Sequence, residues 1–341
     1  MFSVQREITI ARHTWITKIV CSTALFQRKS AHVQADDCSI SDKNACVDEE
    51  QHFAFLNSKP PFGKNQVKQL GKHFAGLGKA PHTPISDITG WYNELAHKVA
   101  AASKTLAMQA LGPQFRDEEL QVAFRVKSAS TIADKVRNRN MQLSYIDDFA
   151  GARLNINCLH SSLFQVADAV VDAVEESGNR AEIKNHIESP QQGYRAIHVC
   201  LNAPAGKAEL QLRTTLQSEW ANAYERLADL TGRKVRYEKN YVPQEPNLAA
   251  IHTGLLKTSD LILQIEQAEE KIHEQQVQFA ELLRPVKPGL SFSPEFHSTR
   301  ARALTAAAEA ENARSSQAQT TVDLVNNLRA LRSSLIDYPR Q

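Results

Sequence analysis

Cysteine is scarce in this sequence, and no two cysteines sit at the spacing of a metal site. There are five (Cys21, Cys38, Cys46, Cys158 and Cys200) and no CxxC pair, which argues against a structural zinc site. Cys158 and Cys200 lie in strand-like runs and read as buried thiols, which fits a reducing, cytoplasmic setting. Long apolar runs are missing as well. No uncharged stretch reaches the roughly 18 residues of a membrane span, and Lys18 interrupts the one apolar segment near the start, so neither a membrane protein nor a secreted one is expected. Excess charge of either sign is absent: the net charge is +2, so any nucleic-acid contact must come from a local patch. Internal repeats and long low-complexity tracts are absent too.

What is present is the composition of a soluble globular protein, with 42% apolar and 23% charged residues in a chain of 341, enough for one large or two smaller domains. Residues 1–60 carry no period and are expected to be poorly ordered. Their first 35 positions hold five Lys or Arg and one acid, Glu7, a composition open to either a weak organelle-targeting segment or an unstructured terminus. Helical spacing of Ile88, Trp91, Tyr92, Leu95 and Val99 predicts a helix over 85–111, ended by Gly112-Pro113. Five strands are then predicted over 122–127, 152–158, 182–187, 194–201 and 207–214. Helices are predicted over 131–139, 163–175 (started by Ser161 or Ser162) and 216–230, the last with Gly232 as C-cap. Gly206 marks a hairpin-like turn between the last two strands. A mixed α/β sheet with flanking helices is the natural packing. Beyond Pro246 the pattern is helical, over 250–283 and 300–335, separated by a Pro/Ser loop. Ile251, Leu255, Ile262, Ile265 and Ile272 are the inward residues of the first. These helices read equally as a cap on the core or as elements for homo-oligomer formation.

Polar residues on strand faces carry the chemical signal. Residues two apart on a strand share a face, so Arg125 with Lys127, and Glu209 with Gln211 and Arg213, form two polar faces whose intervening residues are apolar. Each strand alone is equally consistent with an edge strand carrying ordinary surface charge. Thr131 and Lys135 follow on a helix whose N-terminus favours phosphate, and with Arg125 and Lys127 they would converge on a polyphosphate. Asp148, at a strand start near that cradle, suits a magnesium ligand. Glu209 would share the metal or accept a proton from an attacking hydroxyl. Gly193 permits a tight turn that would expose Tyr194 for stacking on a base.

Arg125-x-Lys127-x3-Thr131-Ile132-x2-Lys135, Asp148-x4-Arg153, Gly193-Tyr194-Arg195-x2-His198 and Glu209-x-Gln211-x-Arg213-Thr214, with Trp220 beyond, occur in this order. Together they resemble the synthetase domain of the RelA/SpoT family, the (p)ppGpp or alarmone synthetases. The likeness covers residues 122–233 and extends more weakly over 64–110. It implies an α/β (α+β) fold with a nucleotidyltransferase-like mixed five-stranded sheet flanked by helices. The implied domains are a synthetase domain over 61–240 and a C-terminal helical extension over 241–341. It implies attack of a ribose 3′-oxygen on the β-phosphorus of ATP, with AMP leaving and Mg²⁺ as cofactor. Arg125 and Arg153 would sandwich adenine, and Lys127, Thr131 and Lys135 would hold the ATP phosphates. Asp148 and Glu209 would be the catalytic and metal-binding carboxylates. Lys184, Tyr194, His198, Gln211 and Arg213 would face the acceptor, GDP or GTP.

Three positions depart from the family pattern, all on the acceptor side. Pro190 stands where Lys is frequent, Gln192 where Asn is frequent, and His186 where an aromatic is frequent. No His-Asp dipeptide of the family's hydrolase half occurs, so a stand-alone synthetase is expected. Some stand-alone relatives are toxins, and a subset of those modify the 3′ end of tRNA. That acceptor, and with it an antitoxin partner, stays open, as does a catalytically silent nucleotide-binding protein on the same scaffold.

Overall fold

The computed structural model describes residues 52–238, 241–282 and 293–338. The expectations for residues 1–51, Cys21, Cys38 and Cys46 among them, lie outside the described residues. So does most of the Pro/Ser loop. Two compact units are formed, one of residues 49–264 with 324–341 and one containing residues 265–323.

The larger unit is built on a five-stranded sheet in the order β1-β2-β5-β4-β3. Its strands are β1 (Leu120–Val126), β2 (Ala150–Ile156), β3 (Arg180–Asn185), β4 (Ile197–Ala203) and β5 (Gly206–Thr214). Only β2 and β5 pair parallel; the other neighbours are antiparallel. This is the mixed sheet expected. The helices are α1 (Lys64–Phe74), α2 (Ile85–Leu111), α3 (Ala129–Arg139), α4 (His160–Glu176), α5 (Thr215–Thr231), α6 (Pro246–Leu282) and α7 (Pro294–Ile336).

The apolar face of the sheet is covered by α2 and α4. Along α2, Ile88, Tyr92, Leu95, Ala96, Val99 and Leu106 are buried, at the three- and four-residue spacing of one helical face. Leu154, Ile156, Leu210, Leu212, Val199 and Leu201 meet them from the strands. Tyr92 packs on Phe149 with ring centroids 4.3 Å apart. The β4–β5 turn is anchored to the same helix, because Trp91 Nε1 donates to Ala205 O at 2.9 Å.

Several boundaries shift from expectation for local reasons. Phe53 and Leu56 are fully buried, and Ala205 N donates to Leu56 O at 2.9 Å. The ordered core therefore begins within the segment expected to be poorly ordered. Leu159, not Ser161 or Ser162, stands at the N-cap of α4. Cys158 falls beyond the end of β2 and is half-buried, while Cys200 is buried as expected. Pro246 occupies the first position of α6, where its missing N–H costs nothing, and Glu245 caps it by accepting from Leu248 N at 2.6 Å and Asn247 N at 3.1 Å. The start of α6, assigned by sequence to an appended extension, belongs to the same compact unit as the sheet. The second unit pairs parts of α6 and α7 through polar contacts, among them Thr321 Oγ1 to Glu269 at 3.0 Å and Gln276 Nε2 to Glu311 at 3.2 Å.

The turn before β4 is fixed by α5 and α6. Trp220 stacks on Tyr224 and donates from Nε1 to Leu255 O at 2.6 Å. Gly193 lies against it with φ +76°, and a Cβ there would stand 2.9 Å from Trp220 Cζ2 and 3.2 Å from Ser259 Cβ. Both the backbone conformation and the space demand glycine. Gly193→Ala is therefore expected to lower unfolding stability by about 1–3 kcal/mol. Gly63→Ala, with nothing within 4 Å of its Cβ, is expected to change little. Urea denaturation of the two variants checks the contrast.

Candidate active site

The register of the sheet gathers the polar residues on its other face. Across one row, Arg125 stands opposite Gly151, Gly151 opposite Glu209, and Glu209 opposite Cys200. Across the next, Arg153 stands opposite Gln211, Gln211 opposite His198, and His198 opposite Lys184. Neighbouring strands lie about 4.8 Å apart, so seven chemistry-bearing side chains from five strands share one surface. The two readings of the strand faces separate here. Strand β1 is an edge strand with Arg125 exposed, whereas β5 is central, and its Glu209 and Gln211 are not ordinary surface charge.

Arg125, Lys127, Asp148, Gly151, Arg153 and Gln211 line a cleft over this face, together with Ala123, Phe124 and Ala152. It is open, with about 540 Å³ of space that includes bulk solvent at its mouth. Arg125 and Arg153 are diagonal neighbours across β1 and β2, a separation of roughly 7–8 Å. Gly151 leaves the floor between them clear: an added Cβ would touch only Arg125 O, at 3.5 Å.

Two adjacent carboxylates organise the cations. Asp148 accepts from Lys135 Nζ at 3.0 Å and from Lys127 Nζ. Burial alone would raise the Asp148 carboxyl, but these two ammoniums outweigh it and hold it below the usual carboxylate range. Asp147 accepts from Lys207 Nζ at 2.7 Å and from Lys184 Nζ at 3.2 Å. Burial opposes that carboxyl too, and the two lysines again bring it below its ordinary value. Burial lowers Lys127, as does the like charge of Lys135, against the pull of Asp148. Arg153 is lowered to about 10 by burial and by the charges of Arg213 and Arg125, which leaves it cationic at neutral pH.

Glu209 is held by neighbours on its own face. Gln211 Nε2 donates to its Oε1 at 2.7 Å, and His198 Nδ1 lies 3.5 Å from the same oxygen. Burial would raise Glu209, but His198 and Gln211 more than compensate and lower it, against a smaller opposing effect of Asp148. Among the described residues no group of three or more His, Cys, Asp or Glu is placed to hold a metal. Magnesium needs only one or two carboxylates when phosphate oxygens and water complete its shell.

Not every expected residue faces the cleft. Thr131 sits on the first turn of α3, its Oγ1 2.8 Å from Ser128 Oγ, outside the cleft lining. Tyr194 is half-buried rather than exposed: its hydroxyl is 2.8 Å from His198 Nε2 and accepts from Arg213 Nη2 at 2.7 Å. Arg213, expected at the acceptor, is buried with 2% exposure. Its fork is bonded to Tyr194 and Gln211, two other residues expected at the acceptor. Arg195, the arginine after Gly193-Tyr194, is turned away, bonded to Ser259, Asp260 and Ile187. Asp147 and Lys207 were missed by the sequence reading. Lys207 could have been found by counting two residues back from Glu209 on the same face. The pairing of Asp147 with two lysines had no local signal.

Because Asp147 and Asp148 are lowered in the folded state, the unfolded chain binds more protons near and below the ordinary aspartate pKa of about 3.9. Their contribution to stability is full above that pH and is lost as pH falls through it toward the lowered values. Asp148→Asn is expected to cost about 2 kcal/mol at pH 7, the scale of hydrogen bonds to a charged group, and to flatten the acid loss of stability. Denaturant titrations at pH 7, 5 and 3.5 check both.

Comparison with known proteins places the chain among relatives. The model described as "Region found in RelA / SpoT proteins" matches residues 124–229, which span β1 to α5. Uncharacterized proteins of Mycobacterium tuberculosis and Mycobacterium bovis are each 32% identical over 225 residues, 64% of this chain and 77% of theirs. The small alarmone synthetase 1 of Bacillus subtilis is a similar solved structure, with TM-score 0.43 and 17% identity, over 55% of this chain and 95% of that one. With its motifs in order, their side chains on one face of a mixed sheet, and relatives matched over most of their length, the chain belongs to the RelA/SpoT family.

Proposed function

We propose that this protein transfers the terminal diphosphate of ATP to the ribose 3′-hydroxyl of GDP or GTP, giving (p)ppGpp and AMP. The RelA/SpoT family is a family of diphosphate-transfer enzymes; the donor, the acceptor and the residue roles are our reading. One observation carries it. Glu209 stands opposite Gly151 on the sheet face that also carries the diagonal pair Arg125 and Arg153, and Asp148, held by Lys127 and Lys135, lines the cleft over that face.

Each group has work suited to its chemistry. The planar guanidiniums of Arg125 and Arg153 are spaced for an adenine ring between them. Lys127 and Lys135 each hold Asp148 through one N–H, and an ammonium has three donors, so both retain donors for phosphate oxygens, with Thr131 beside them. Magnesium bound by Asp148, Glu209 and the triphosphate would neutralise charge on the transferred group. Lys184, His198 and Gln211 serve the acceptor's base or phosphates, and the ring of Tyr194 its guanine. Gln211 Nε2 donates to Glu209 Oε1 and His198 Nδ1 lies 3.5 Å from the same atom, so Oε2 is the atom for proton acceptance. The acceptor 3′-oxygen gives its proton to Oε2 and bonds to the β-phosphorus of ATP. The bond from that phosphorus to the bridging oxygen breaks, and its electron pair leaves on AMP. Alignment and charge neutralisation supply most of the acceleration in such transfers.

The test uses ATP labelled in its terminal phosphates, Mg²⁺, and either GDP, GTP or deacylated tRNA. Label is expected on GDP or GTP at the 3′ position, with at least about a 100-fold loss in Glu209→Gln. Label reaching only the tRNA 3′ end would redirect the acceptor, and no transfer to any of them would refute the reading. Gly151→Ala is expected to keep wild-type thermal stability while weakening ATP binding about 10-fold or more, on the scale of one misplaced contact, as read by calorimetry with the two measurements made on the same preparation.

A further inference from the structure

Five side chains are linked in a circuit by four hydrogen bonds and one longer contact. Arg213 Nη2 donates to Tyr194 Oη at 2.7 Å and to Gln211 Oε1 at 2.8 Å. Gln211 Nε2 donates to Glu209 Oε1 at 2.7 Å. His198 Nδ1 faces the same Oε1 at 3.5 Å, and His198 Nε2 lies 2.8 Å from Tyr194 Oη. The Arg213 guanidinium also lies over the Tyr194 ring, 4.9 Å from its centroid.

We infer that Tyr194 and Arg213 are positioning residues which, through the Tyr194 hydroxyl, hold His198 in the tautomer protonated on Nδ1, with that proton aimed at Glu209. The inference rests on the reading of Glu209 as the proton-accepting carboxylate, and it assigns Tyr194 a task separate from any stacking by its ring. Direction around the ring follows from donor chemistry. A guanidinium can only donate, so the phenol oxygen accepts from Arg213. The phenol's own proton then has His198 Nε2 as its acceptor among the described residues. With Nε2 accepting, the neutral imidazole carries its hydrogen on Nδ1. Nδ1 faces Oε1 at 3.5 Å, the oxygen already engaged by Gln211, so a proton there bears on the same carboxylate oxygen and leaves Oε2 toward the acceptor. Arg213 is suited to this and not to substrate contact: it is buried, and its Nε and Nη1 are shielded from solvent with no hydrogen-bond partner among the described residues. Burial makes the fork costly to reorient.

The experiment separates this ring from the enzyme reading by using a signal that needs no turnover. In protein labelled at the histidine ring nitrogens and held at pH 8, the His198 resonances, assigned by their loss in His198→Gln, are expected to report a neutral ring protonated on Nδ1. A ring protonated on Nε2 would overturn the inference. Tyr194→Phe keeps the aromatic ring and removes the hydroxyl. It is expected to shift His198 toward a mixture of tautomers and to lower kcat about 10-fold, the scale of losing a group that orients another, with the acceptor KM within about twofold. Unchanged His198 resonances, or an unchanged kcat, would refute a positioning role and leave Tyr194 as a stacking surface alone. Should the unmodified protein turn over no acceptor, the proposed function fails while the tautomer measurements still decide the ring.

Discussion

The parallel pairing of β2 with β5 is the constraint on which the site depends. It sets Gly151 opposite Glu209 and Arg153 opposite Gln211, joining segments that the chain separates by α4, β3 and β4. A parallel neighbour cannot be reached by a tight turn, and the intervening elements supply the crossover. A slip of one residue in this register would turn Glu209 and Gln211 to the apolar side and bring Leu210 and Leu212 out of the core. The buried leucines and the helices packed on them therefore hold the polar face in register as firmly as any contact on that face.

Burying charge on a sheet is costly unless each charge is compensated. The protein meets this with neighbouring aspartates that each bind two lysines, Asp147 with Lys184 and Lys207, and Asp148 with Lys127 and Lys135. These four lysines come from β3, β5, the end of β1 and α3, so the two acids tie the periphery of the site to its floor. Glu209 is held differently, by neutral or switchable donors on its own strand and the next. The contrast gives one carboxylate a fixed electrostatic environment and leaves the other with an oxygen to spare.

The turn bearing Gly193 and Tyr194 depends on a third set of contacts. Ser259 Oγ donates to Gly193 O at 2.5 Å, and Arg195 reaches Ser259 and Asp260. These partners lie on α6, whose start buttresses the loop, in keeping with the helical-cap reading that the sequence left open beside oligomer formation; Trp220 of α5 fills the space that glycine leaves.

Much of this was legible along the chain. Period-two patterning located β2 well, because its alternate residues are buried, whereas in β1 Val122 and Phe124 are exposed although they share a face with Val126; the ordered motifs of Arg125, Lys127, Asp148, Arg153, Glu209 and Gln211 marked one chemistry. Helix α2 was read to the residue because its apolar stripe is long and Gly112 ends it. What local pattern could not supply was the direction of side chains whose partners are remote. Arg213 looked like a surface cation by alternation, yet it is buried because Tyr194 and Gln211 accept its protons. Tyr194 looked exposed after a glycine, yet its hydroxyl is tied inward. Phe53 and Leu56 looked like part of an unpatterned terminus, yet they complete the core beside the β4–β5 turn. Local alternation and turn chemistry thus located the elements and the polar strand faces, and the ordered motifs carried the resemblance to the family. Strand order, register and helix docking decided which of those polar residues meet, since only packing of distant segments fixes what a side chain finds at its tip.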